Sequence, residues 1–142
     1  MSIVSWKREF YKGSLPLAAK TELGAIDHSL LKWTGLSTEN LTKHGLQHGL
    51  RRVAEQWVYN QVTRACFEVS SNECALCYHN DTIRADPWEC DTCSLAIVSS
   101  ACGRGDSPYQ HWVQTSDNLP MVAALTQARE RAVSHLDAPA QK

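Results

Sequence analysis

The chain has 142 residues, enough for one ordinary domain with its own buried core. A hydrophobic share of 43% and a charged share of 20% exclude a disordered chain. A formal net charge of −1 excludes a general pull toward nucleic acid or anionic membrane. No apolar run reaches the ~18 residues that a membrane span needs, so no membrane partner is expected.

The first residues, MSIVSWKREFYKG, carry charges where an export signal needs an apolar stretch of about 7–15 residues. The expected setting is therefore a cytoplasm. The first 50 residues read as helical. Leu23, Ile26, Leu30 and Trp33 follow a three-then-four spacing that lines one helix face, and Gly35 stops the helix. Ser37 or Thr38 caps a second, short helix with Glu39 in its first turn; it ends at Gly45, with Leu46 folding back. This predicts a helical hairpin over about residues 20–46.

A DNA-reading hairpin needs basic residues on its second helix, and LSTENLTKHGL offers only Lys43. A wider basic zone consists of Lys43, Arg51, Arg52 and Arg64, with His44 and His48 nearby and Glu55 opposing. It is the candidate for nucleic-acid contact, though such a zone is ordinarily a solvated face. His44 and His48 stand at helical ligand spacing, but Gly45 breaks the helix between them and no metal site is expected there.

The run QWVYNQVTRACFEV is rich in β-branched and aromatic residues and predicts one or two strands, with a helix through Val53 and Trp57 as the alternative. Cys66 within it reads as a small buried apolar residue. Residues 73–112 read as loop-rich. Beyond them, Asp117 or Asn118 caps a helix over 119–136, with Pro120 in its first turn and Met121, Leu125, Ala128, Ala132 and Leu136 in one stripe. The tail DAPAQK is expected to fray. The predicted fold is a single α+β domain over residues 1–142. It has an N-terminal helical hairpin, a short β element, a zinc-knuckle or ribbon-like cysteine-rich region over 66–112 and a C-terminal helix.

The strongest signal is CALCYHNDTIRADPWECDTC, residues 74 to 93: a C-x2-C pair, twelve residues, then a second C-x2-C pair. Two residues between cysteines let both thiolates of one turn face the same ion, while nearby backbone N–H groups soften their charge. Cys74, Cys77, Cys90 and Cys93 thus form a closed tetrahedral set for a structural metal, with Cys102 as an alternative ligand. Soft thiolates select zinc, or an iron–sulfur cluster, over hard cations. The competing readings are disulfides, free thiols or a redox pair. His79, two residues past Cys77, reads as an ordinary lone histidine. A metal saturated by four thiolates has no open position for water, so the site reads as structural and the protein as a non-enzyme. From Glu73 to Cys93 the acids are Glu73, Asp81, Asp86, Glu89 and Asp91, against Arg84 alone, so this face should repel a duplex.

The succession IDHSLLKWTGLSTENLTKHGL, CALC, CDTCSL, a further cysteine and SPYQHW resembles a group of small cysteine-rich proteins encoded by bacteriophages and prophage regions. The positions that carry the resemblance are Cys74, Leu76, Cys77, Cys90, Cys93, Cys102, Pro108, Tyr109 and Trp112; Ser94 stands where that pattern often has proline. The resemblance covers roughly residues 20–115 and implies a phage or bacterial cytoplasmic setting, with no chemistry to carry over. Gly103–Pro108 also spells an integrin-binding hexapeptide. Without export, Arg104, Gly105 and Asp106 read instead as a polar turn, and an integrin partner is not expected. The functional expectation is an interaction factor that acts on a host protein in host takeover or anti-defence. Tyr109, Trp112 and Arg104 are its candidate partner-facing residues, since such types dominate interface hot spots, although Tyr109 and Trp112 also suit packing on the metal loop. The alternative is a zinc-ribbon regulator that binds nucleic acid.

Overall fold

In the computed structural model, which describes residues 2–52, 55–60, 62–69, 74–80, 94–99 and 107–137, the chain enters through a helix closed by two serines. Ser2 and Ser5 each accept from the other's backbone N–H, a reciprocal cap that starts α1 (Ile3–Phe10). Trp6 and Phe10, four apart, bury one face of this helix. Ser14 caps the short α2 (Leu15–Ala18), and Thr21 caps α3 (Glu22–Gly35). Ser37 caps α4 (Thr38–Lys43), which ends where Gly45 takes a φ of +72°. The expected hairpin of two helices is therefore present.

The ambiguous middle resolves as strands. β1 (Leu46–Arg52), β2 (Glu55–Asn60) and β3 (Cys66–Glu68) form one antiparallel sheet in the order β1-β2-β3. His48 stands opposite Val58, and Val58 opposite Phe67, so Leu46, Val58 and Phe67 turn inward. Leu46 opens a strand rather than folding back on α4. Asn60 builds the β2–β3 turn by accepting from the N–H groups of Val62 and Thr63. Cys66 is half-buried on β3, not buried as expected.

The described parts of 73–112 contain helices that were expected to be loop: α5 (Ala75–Tyr78), α6 (Ser94–Val98) and α7 (Pro108–Thr115). Ser107 caps α7 ahead of Pro108 by accepting from the Gln110 N–H. The last helix, α8 (Leu119–Asp137), buries Met121, Leu125, Ala128 and Ala132. Asp117 caps it by accepting from Leu119 N–H at 3.1 Å, while Asn118 reaches across to donate to the Trp33 carbonyl at 2.8 Å.

α3 is the central element, packed against α8, α1 and α5. Ile26 and Trp33 of the apolar face are buried, with Leu23 and Leu30 half-buried. A second face is buried too, and it is small or polar: Ala25, His28, Ser29, Lys32 and Gly35. At Gly35 a side chain would collide with the Phe10 ring, and the Trp6 indole donates to the Gly35 carbonyl at 2.8 Å. α1 is thus clamped onto α3 by close backbone approach. The architecture is a small α+β domain.

Candidate metal centre

The C-x-L-C turn explains its own composition. Cys74 occupies the N-cap of α5 in an extended conformation, φ −109° and ψ 116°. Ala75 and Leu76, the two residues between the cysteines, are buried at 0% and 3% exposure and plug the turn into the core. Cys74 and Cys77 remain half-buried, are not bridged to each other, and lie within side-chain hydrogen-bonding reach. The leucine of the motif is therefore an anchor, and the two sulfurs are what the anchor presents.

The environment of Cys74 favours thiolate. Its pKa is pushed down to about 5, first by the hydrogen bond from Cys77 and then by the Lys32 ammonium, with burial opposing. The backbone N–H groups of Cys77 and Leu76 add to the same effect. Donation of N–H groups to a sulfur inside a C-x2-C turn is the charge-softening that a thiolate–metal knuckle requires. The donor chemistry of this half-site fits zinc or an iron–sulfur cluster.

Cys90, Cys93 and Cys102, and with them Arg104, Gly105 and Asp106, lie outside the described residues. Among the described residues no group of three or more His, Cys, Asp and Glu gathers as a metal site. His79 is buried and donates from Nδ1 to the Ala19 carbonyl at 2.6 Å, which ties the end of α5 to the end of α2.

The aromatic pair needs a correction. Trp112 is fully buried, stacked on the His48 imidazole at 3.8 Å between centroids and edge-on to Trp33 at 5.0 Å. It is a core residue and is not available to a partner. Tyr109 is half-buried and donates to the Val69 carbonyl at 3.1 Å, so the pair packs against Trp33, His48 and the end of the sheet. The expected packing of this pair on the metal loop falls on residues outside the described ones.

The basic zone is also changed by α1. Lys43 pairs with Glu9 at 3.0 Å, and His44 holds Glu9 from Nε2 at 2.9 Å and Ser5 from Nδ1 at 2.8 Å. An opposing acid thus comes from α1, beside the Glu55 read from sequence. Arg64 is exposed with φ 65° in the β2–β3 turn, and the side chains of Arg51 and Arg52 lie outside the described ones. His48 bonds Ser116 at 2.8 Å, so His44 and His48 serve different contacts.

Sequence reasoning missed two features. One is the buried face of α1, inside the stretch read as helical, where Ile3, Trp6 and Phe10 have the three-then-four spacing of a core helix. The other is the buried Lys32, which no periodicity rule selects because lysine is ordinarily solvated. Comparison with protein-family models, curated proteins and solved structures gave no match. Among the described residues no helix is long and apolar enough to cross a membrane.

Proposed function

We propose that this protein is a small zinc-stabilised interaction factor, a phage or prophage accessory protein that acts on a host protein in the bacterial cytoplasm. The observation that carries the metal half of this reading is the adjacent Cys74–Cys77 pair, with backbone N–H groups of Leu76 and Cys77 donating to the Cys74 sulfur. Cys90 and Cys93 complete the set, with Cys102 as the alternative fourth ligand. The accessory role rests on the resemblance of roughly residues 20–115 to phage-encoded cysteine-rich proteins. With Trp6, Trp33 and Trp112 committed to the core, a partner face draws on Arg104 and the half-buried Tyr109, whose ring lies 6.2 Å from that of Trp112. A saturated ion supplies no open coordination site, so the role is binding, not catalysis.

Two measurements test it. Elemental analysis of protein purified under reducing conditions should return about one zinc per chain in a colourless sample. A brown sample with iron and sulfide would replace zinc by a cluster, and a metal-free folded protein would remove the reading. A host protein captured by the tagged chain should rebind as a purified component, with affinity reduced by Arg104→Ala or Tyr109→Ala. If purified nucleic acid binds instead, with steep salt dependence, the regulator takes its place.

A further inference from the structure

One face of α7 presents two groups to a single histidine. Trp112 and Ser116 stand four residues apart, one helical turn along, and His48 of β1 meets both. Its imidazole lies flat on the Trp112 indole, with 3.8 Å between centroids and 13° between planes, and its Nδ1 is 2.8 Å from the Ser116 Oγ. Trp33 meets Trp112 edge-on at 5.0 Å, so the platform under the imidazole is itself held. Ser116 ends α7 in the left-handed region, φ 62° and ψ 13°, where glycine or asparagine is the ordinary choice. His48 and Ser116 line a cavity of about 220 Å³ together with Leu41, Leu46 and the hydroxyl-bearing Thr38 and Thr42. Among the described residues no Asp, Glu, Lys or Arg lines it. The Ser5–His44 pair, with Glu9 behind it, is a similar chain, but its hydroxyl is taken up by the α1 cap: Ser5 Oγ accepts from the Ser2 N–H and donates to the Ser2 carbonyl, each at 2.9 Å.

We propose that Ser116 and His48 are the nucleophile and general base of an esterase site that takes neutral esters of short carboxylic acids. This goes beyond the interaction role and rests on no part of the metal reading, because a saturated ion limits chemistry at the metal alone. With its proton on Nε2, His48 accepts the Ser116 hydroxyl at Nδ1, the contact that activates a serine. As Oγ bonds to the ester carbonyl carbon, Nδ1 takes the hydroxyl proton and the carbonyl electron pair moves onto oxygen. The adduct then re-forms the carbonyl and breaks the ester C–O bond, and the leaving alkoxide takes the proton from Nδ1 and departs as the alcohol. Water repeats the attack on the acyl-serine with His48 again as base, which releases the carboxylic acid and restores Ser116. Trp112 is a positioning residue: its stacked face fixes the imidazole plane and favours the cation that forms there, the part a carboxylate plays in a triad. The hydroxyls of Thr38 and Thr42, four apart on α4, are donors available to the developing oxyanion. Leu41 and Leu46 supply the apolar wall for the acyl group, and the size of the cavity limits its length.

The test treats the full chain with diisopropyl fluorophosphate and maps the adduct by mass spectrometry, then follows hydrolysis of p-nitrophenyl acetate, butyrate and dodecanoate. Wild type should be labelled at Ser116 and should turn over the acetate and butyrate well ahead of the dodecanoate. S116G keeps the left-handed backbone and removes only the hydroxyl; it should lose the adduct and at least about 100-fold of the turnover while melting like the parent. H48Q should lose both as well, and where it folds poorly S116G decides alone. S5A, which breaks the other serine–histidine chain, should leave labelling and turnover unchanged. Wild type without an adduct, an adduct on any residue other than Ser116, or S116G hydrolysing esters as fast as the parent overturns the esterase site and leaves the His48–Ser116 bond as a helix cap. None of these outcomes bears on the metal content of the chain or on its host partner.

Discussion

Gly35 illustrates how a single residue can be fixed by its neighbour and not by its own backbone. Its φ is ordinary, unlike those of Gly13 and Gly45, and the constraint is the Phe10 ring lying where a β-carbon would stand. Gly35→Ala should therefore destabilise by overpacking, roughly 1–3 kcal/mol in urea unfolding with the m-value unchanged. Adding Phe10→Leu should recover little of the loss, since leucine keeps the Cβ and Cγ that stand closest to the added methyl. A Gly35→Ala variant as stable as the parent would mean that α1 does not dock as described. In the sequence the glycine was legible as a helix stop, and the helix does end there; its second role was hidden because the ring arrives from 25 residues earlier in the chain. Lys32 was illegible for a related reason. Its burial is set by elements packed on α3 from distant parts of the chain, and nothing in the spacing around Lys32 announces it.

At the level of elements, local signals were reliable wherever the determinant was local. Ser37, Gly45 and the α8 stripe gave helix limits within a residue or two, and the β-branched run gave strands. The expectation of loop over 73–112 failed because α5, α6 and α7 are short, and short helices are held by docking of residues such as Ala75, Leu76, Leu95 and Trp112 more than by propensity. The tie between α1 and α4 is likewise non-local, and it titrates. Lys43 first, and His44 second, hold the Glu9 carboxyl below its ordinary value of 4.5. A depressed carboxylate contributes stability in full above its unfolded pKa, and that contribution is lost as pH falls through the folded value. Glu9→Gln should thus melt slightly lower than the parent near pH 6, and the gap should close as the pH falls below about 4. The gap should be small and shrink in high salt, because the pair is exposed. A pH-independent gap would assign Glu9 a purely steric role. Asp117, lowered by the Leu119 N–H and by His111, titrates in the same direction, so Asp117→Asn is the matched control.

For the molecule as a whole, the question is whether the two halves of C-x2-C…C-x2-C act as one unit. The core of α1, α3, α8 and the sheet is continuous and does not by itself require a metal. The first cysteine pair is tied into that core through Ala75 and Leu76; on the proposed metal reading, ligand formation there and closure of the second pair would be one event. Metal binding of that kind is folding free energy for the segment it closes. Cys74→Ser and Cys90→Ser should each lower the melting temperature and the solubility sharply, and by similar amounts, since either one opens the same closed set. The double variant should then melt close to the single ones, because the second substitution removes a ligand from a site already lost. Chelation of the wild-type protein should bring its melting temperature to the same value and leave the double variant unmoved. Additive losses would instead mean that the cysteines stabilise separate places as small buried groups. Single variants that melt like the parent would remove the metal from the architecture.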